Sequence, residues 1–213
     1  MAGSTISCVE LLAVAQAAYR ENGNELHQSS KDGKVANGIL VKEAVYNNKP
    51  TVTVTDEDRV HAQNIKDYIT QRVMLSKLTG KSLNEFIVKI GDILVQESTS
   101  IRNAGLLTWA PKVYADLQKA EDVNQELSVL GITSKYIGQV GSKIEIEFHT
   151  VTKRWTQFGC FRYVGHDGNG NLIGFLSKHE YPAVVKIKAR IKNCEISKFS
   201  GGKTTYLNYT KQV

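Results

Sequence analysis

Cysteine is scarce and scattered: Cys8, Cys160 and Cys194 are odd in number, far apart, and none belongs to a C-x-x-C pair. That pattern supports neither a disulfide framework nor a cysteine-rich zinc site, and the expectation is reduced, buried thiols in a cytoplasmic compartment. Long apolar runs are lacking too. No stretch approaches the roughly 18 to 20 uninterrupted apolar residues that a membrane span needs. The best secretory candidate, residues 9–18, contains Glu10 and Gln16 and has no basic segment before it, so it reads as an amphipathic helix of a soluble protein. What is present, 41% hydrophobic and 23% charged residues over 213 positions, suits one or two folded domains and argues against wholesale disorder.

Acidic residues are sparse in one part of the chain only. Residues 134–213 carry 13 Lys and Arg against 5 Asp and Glu, whereas residues 1–133 carry 14 against 16. The same 80 residues hold 11 of the 17 aromatic side chains. Charge and ring density therefore change together near residue 133, where no Gly/Ser-rich linker intervenes, and two domains are expected, 1–133 and 134–213. A concentrated cationic excess suits a polyanionic partner, although it also serves solubility.

The first part reads as mainly helical. Residues 6–20 allow a helix ended by Asn22-Gly23-Asn24. Residues 39–46 and 51–55 are rich in β-branched side chains and flank Asn47-Asn48-Lys49-Pro50, which reads as a short hairpin. Thr55 before Asp56, Glu57 and Asp58 signals a helix start, and Thr79-Gly80 its end near residue 78. Ser82 with Glu85 has the capping-box spacing for the next helix. Pro111 suits the first turn of another, which Gly131 ends.

From residue 132 alternation replaces the helical period. Strands are expected at 143–153, 158–164, 172–176, 184–194 and 204–209, with Asp167-Gly168-Asn169-Gly170-Asn171 supplying one reversal and Ser200-Gly201-Gly202 another. In the fourth, Val185, Ile187, Ala189 and Ile191 point inward and Lys186, Lys188, Arg190 and Lys192 share the outer face. Five antiparallel strands in roughly 75 residues suggest a partly closed Greek-key barrel of the OB type. The fold class is α+β: a mainly helical N-terminal domain followed by a five-stranded barrel.

The run GQVGSKIEIEFHTVTKRWTQFGCFRYVGHDGNGNLIGFLSKHEYPAVVKIKARIKNCEISKFSGGKTTYLNYTK, with its G-x-K start, TQFG reversal, DGNGNLI turn and GGKTTYL hairpin, resembles OB modules of phage and bacterial replication proteins. The resemblance covers about a third of the chain. It implies single-stranded DNA binding in replication, recombination or repair, a phage setting, and replication proteins as further partners. The residues carry the same idea independently, because aromatic rings stack on unpaired bases and cations neutralise phosphates. Trp155 and Phe158 flank a reversal beside Lys153 and Arg154. Phe161 and Tyr163 alternate with Arg162 and share one face, as do Cys160, Arg162 and Val164, the sequence leaving open which face is interior. The stripe of Lys186, Lys188, Arg190 and Lys192 is either a phosphate track or a solvated face. Lys203 and Tyr206 complete the candidate set, and a regular strand lets at most one of Tyr206 and Tyr209 stack. Two other readings remain: a barrel that docks a protein partner, and an RNA binder. Self-association through residues 1–133 is a further expectation.

Motifs for catalysis are weak. Gly202-Lys203-Thr204 lacks the glycine five positions earlier, where Ser197 stands, and precedes a strand rather than a helix. Asp167, Asn169 and Asn171 imitate a calcium loop, but Leu172 and Lys178 stand where it needs glycine and glutamate. His149, His166 and His179 lack ligand spacing. No enzyme, cofactor, metal or membrane partner is expected.

Overall fold

The computed structural model describes residues 4–46, 52–80, 82–198 and 200–213. The chain is α+β, helical over residues 8–133 and a closed barrel over 143–212. It divides into two compact units, Met1–Gln118 and Lys119–Val213. The junction lies inside a helix, and residue 133, the boundary expected from the sequence, is that helix's last residue. Among the described residues no helix is long and apolar enough to cross a membrane.

The N-terminal unit is built around α1 (Cys8–Glu21), in which Leu11, Leu12, Ala13, Ala15, Ala17 and Ala18 are all fully buried. A helix apolar on every side must be enclosed, and α2 (Asn37–Tyr46) and α3 (Asp56–Thr79) supply much of the enclosure. Helix α2 corrects the expected hairpin. Residues 39–46 include the β-branched Ile39, Val41 and Val45, yet Val41 is buried against the core with Leu40, Ala44 and Val45 packed beside it, a helical spacing whose burial outweighs propensity. The buried Asn37 anchors α2, donating to the Ala18 carbonyl and accepting from Asn22 and from the His27 N–H. The expected turn at 47–50 and residue 51 lie outside the described residues.

Helix α3 starts and stops where its signals stand. The Thr55 hydroxyl accepts from the Asp58 N–H, Asp58 accepts from the Thr55 N–H, and Gly80 ends the helix at a φ of 68°. In α4 (Glu85–Leu94) the capping residue is Asn84, not Ser82, because its side chain accepts directly from the Phe86 N–H. Strands β1 (Thr5–Ser7) and β2 (Ser98–Ser100) pair antiparallel. They are too short to leave a periodic signal. A 3₁₀ turn (Ile101–Asn103) and α5 (Ala104–Leu107) lead into α6 (Ala110–Thr133).

In the second unit, β3 (Lys143–Trp155), β4 (Phe161–Asp167), β5 (Leu172–Ser177), β6 (Val184–Ile196) and β7 (Lys203–Gln212) close in the order β3-β4-β5-β7-β6, consistent with an OB-like fold. Closure depends on β3, which pairs with β6 through residues 143–149 and with β4 through 148–155. The barrel is mixed rather than antiparallel throughout: β5 and β7 run parallel, because the 5-to-7 contact skips the intervening strand. Its closure is complete rather than partial. Inside lie Phe148, Tyr163, Ile173, Phe175, Tyr181, Ile187 and Leu207. Asp167 shapes the expected reversal by accepting from the N–H groups of Asn169 and Asn171.

Helix α6 does not stop at Gly131. A Cβ there would lie 2.8 Å from the Ser200 carbonyl oxygen, and one on Gly202 would lie 2.3 Å from the Gly131 Cα. The two glycines let the last turn of the helix touch the β6–β7 loop backbone. Alanine at either position is expected to destabilise this unit by about 1–3 kcal/mol, the usual cost of overpacking, measurable as a lowered denaturant midpoint.

In the other unit, burial pushes the Asp58 carboxyl up, but the Arg20 guanidinium at 3.1 Å and the Thr55 donors more than reverse this and hold it below the ordinary aspartate value. A depressed folded value stabilises above the unfolded one and is lost as pH falls through the folded one. The unfolding transition of this unit should therefore weaken as pH drops below about 4. In Asp58→Asn that acid-dependent component should be absent when thermal unfolding is followed against pH.

Candidate functional site

The residues singled out in the barrel fall into three groups. At the β3–β4 reversal the chain turns on its own hydrogen bonds: the Thr156 N–H and hydroxyl both donate to the Cys160 carbonyl, and Gly159 donates back to the Thr156 carbonyl. Strand β4 consequently begins at Phe161, and Phe158 sits in the turn rather than in the strand, with 75% of its surface exposed. Trp155 is 61% exposed and lies edge-on to Phe161, its cross-strand partner, at 4.7 Å between ring centres. Phe161 is half-buried and supports the indole from below. Lys153 places its ammonium 5.4 Å above the Phe161 ring. The same ammonium pairs with Glu180, which raises its pKa. Part of its charge is thereby answered within the protein.

Tyr163 belongs elsewhere. It is fully buried, stacked on Phe175 at 5.0 Å, and its hydroxyl accepts from the Tyr181 N–H at 2.8 Å. Of the two alternating rings, Phe161 reaches the outer layer because it lies at the open end of β4, while Tyr163 fills the centre. Tyr163 cannot serve as a stacking surface.

A second group surrounds a cavity of about 130 Å³ in the C-terminal unit. Arg154 and Arg162 face each other across β3 and β4, and Tyr206 joins them from β7, with Asn124 and Leu127 of α6 on the opposite wall. The register thus sets two guanidinium-bearing side chains along one cavity. Tyr206 lies across Gly174: a Cβ there would come within 2.8 Å of the ring. Glycine at 174 thus lets the phenol lie flat against β5.

The third group is the β6 stripe. Val185, Ile187, Ala189 and Ile191 are buried and Lys186, Lys188, Arg190 and Lys192 exposed, as the alternation predicts. Across the ladder, however, Lys186 meets Glu147 and Lys188 meets Glu145, the latter at 3.2 Å. A continuous phosphate track is interrupted there. Arg190 faces Lys143 instead, and its Nε donates to the Gly141 carbonyl. Lys203 stands apart from all three groups, 5.8 Å from the Tyr136 ring.

Sequence reasoning passed over Lys143 and Lys211 as site residues and weighed Tyr209 only as an alternative to Tyr206; the three meet Lys188 and Arg190 around an open groove. Lysines at strand ends carry no periodic signal, and the backbone angle that turns Tyr209 outward is not written in residue type. No family model, curated protein or solved structure matches the chain.

Since Tyr163 acts inside the barrel, Tyr163→Phe should leave the Tyr181 N–H without its acceptor and cost about 1–3 kcal/mol. The checking measurement is a denaturant titration of the variant, with its midpoint shifted to lower concentration.

Proposed function

We propose that the barrel unit binds single-stranded DNA without sequence preference, in replication, recombination or repair. The observation that carries this reading is the pair of water-facing rings, Trp155 and Phe158, presented on a hydrogen-bonded reversal next to Arg154. Two large rings remain mostly exposed at one tip, although Trp155 also touches Phe161. Unpaired bases offer flat faces to such rings, and stacking contributes roughly 1–3 kcal/mol per base with little regard for base identity. Arg154 leads from the tip into the cavity it shares with Arg162 and Tyr206. That cavity is bounded by the sheet and by residues of α6. It suits one phosphate or the edge of one base, and no duplex.

The division of labour follows from residue type. Trp155 and Phe158 stack, Phe161 props the indole, and Arg154 and Arg162 receive phosphate, with counterion release making affinity fall as salt rises. Lys153 contributes less, because Glu180 already holds it. The barrel cations beyond these act as a diffuse field that attracts the strand. The chemistry is recognition without bond making, so the reading invokes neither catalytic group nor cofactor.

Fluorescence anisotropy with labelled oligo-dT at several salt concentrations tests the proposal. Binding whose logarithm declines linearly with log salt is expected; absence of binding at low salt, or a flat salt response, rejects it. Trp155→Ala should weaken binding about 10- to 100-fold, the stacking contribution of one base, with an unchanged melting temperature. Tighter competition by oligo-rU would assign the site to RNA instead. Nuclease-resistant capture of a protein would favour a docking role for the barrel.

A further inference from the structure

Strand β7 carries an extra residue where it passes β6. Lys188 pairs with Lys211 and Arg190 with Asn208, so Tyr209 and Thr210 together oppose Ala189. The bulge holds Tyr209 at a φ of 54°, in the left-handed region that an aromatic residue rarely occupies. Bonds from the interior keep it there. The Tyr181 hydroxyl donates to the Thr210 carbonyl at 3.0 Å, while the Tyr181 N–H is fixed on the Tyr163 hydroxyl. Bulges commonly re-aim a side chain, and this one sends the Tyr209 phenol outward, 76% exposed.

The ring emerges into a groove of about 620 Å³ lined by Lys143, Lys188, Arg190 and Lys211. Glu145, held by Lys188, is the one carboxylate among the described lining residues. An outward ring sharing a groove with four cations, of which Lys188 is answered by Glu145, matches one chemical unit, a base joined to its phosphates. A strained backbone angle at an exposed aromatic residue points the same way.

We propose that this groove is a second contact for single-stranded nucleic acid, separate from the Trp155 tip; the inference rests on the single-strand reading of the barrel. The two contacts are not one continuous track. Between Lys143 and the tip, β3 displays Glu145 and Glu147. The 12-residue separation of Lys143 from Trp155 along the strand corresponds to at most about 40 Å. A short oligomer therefore occupies one contact and a long one both.

Anisotropy with oligo-dT of about 6 and about 30 nucleotides, lengths that bracket the usual span of one such barrel, separates the claims. Tyr209→Gly keeps a residue at home in the left-handed region and removes only the ring, so its melting temperature should equal or exceed that of the unmodified protein. Its affinity for the long oligomer should fall about 5- to 10-fold, while the short oligomer, bound at Trp155, is unaffected. The double change Lys143→Gln with Lys211→Gln should lower the salt slope for the long oligomer by about 2. Unchanged long-oligomer affinity in Tyr209→Gly, with Trp155→Ala still weakened, overturns the second contact and leaves the first standing. An equal loss of heparin binding in Tyr209→Gly also overturns it, because heparin has no bases to stack. Failure of the unmodified protein to bind either oligomer removes both readings together.

Discussion

Closing five strands into one barrel is the constraint from which the rest of the C-terminal unit follows. Strand β3 must pair with β6 along one half and with β4 along the other, which requires it to curve sharply. The register slips between Thr150 and Thr152 mark that bend, and further slips in the β6–β7 ladder fall between Lys188 and Arg190 and between Ile191 and Asn193. Each slip lies close to one candidate group: Arg154 follows the first, Tyr209 occupies the second, and Tyr206 pairs at the third. A strand that bends to close a sheet loses strict alternation at the bend. The side chains freed from the inside-outside rule are those the barrel can present in unusual directions.

Closure also decides which rings are available. The interior admits Phe148, Tyr163, Phe175 and Tyr181, packed with ring centres 4.8–6.4 Å apart. That cluster leaves no room for Trp155 or Phe158. Tyr163 and Tyr181 satisfy their polar atoms on each other and on Thr210, as buried hydroxyls must. One interior network thus supports the core and fixes the backbone beneath an exterior groove.

Much of this was legible in residue order. Strand β6 reads correctly because four buried aliphatics alternate with four cations. Helix α3 reads correctly because Thr55, Asp58 and Gly80 are strong local signals. What failed to read depends on distant partners. Residues 39–46 look like a strand until α1 is present to receive Val41, and Gly131 looks like a stop until Gly202 is seen against it. Asn84 takes the capping role from Ser82 through a hydrogen bond that spacing alone does not select. Among the candidate residues, Trp155 and Phe158 were readable as rings flanking a polar reversal, with Phe158 expected to open the strand that in fact begins at Phe161. Tyr163 was not separable from Phe161, since both share a face and only barrel depth distinguishes them. The glutamates opposite Lys186 and Lys188 were visible as residues, but their register was not.

That register bears on how the charge acts. The sequence excess of cations over acids in residues 134–213 cannot be read as a number of phosphate contacts, because Glu145, Glu147 and Glu180 stand beside three of the lysines. A surface ion pair contributes only about 0–1 kcal/mol to stability, so these pairs add little to the fold. They do place acids between the tip and the Tyr209 groove, dividing a basic face into patches. A polyanion crossing such a face meets cations at Arg154 and at Lys143 with Arg190, and acids in between. At roughly 1–3 kcal/mol per stacked base, two exposed rings at the tip supply roughly 2–6 of the more than about 8 kcal/mol that a submicromolar affinity needs. In the single-strand reading the remainder falls to phosphate contacts. Association would then be governed by ionic strength more than by base sequence, the behaviour expected of a surface that tracks a backbone.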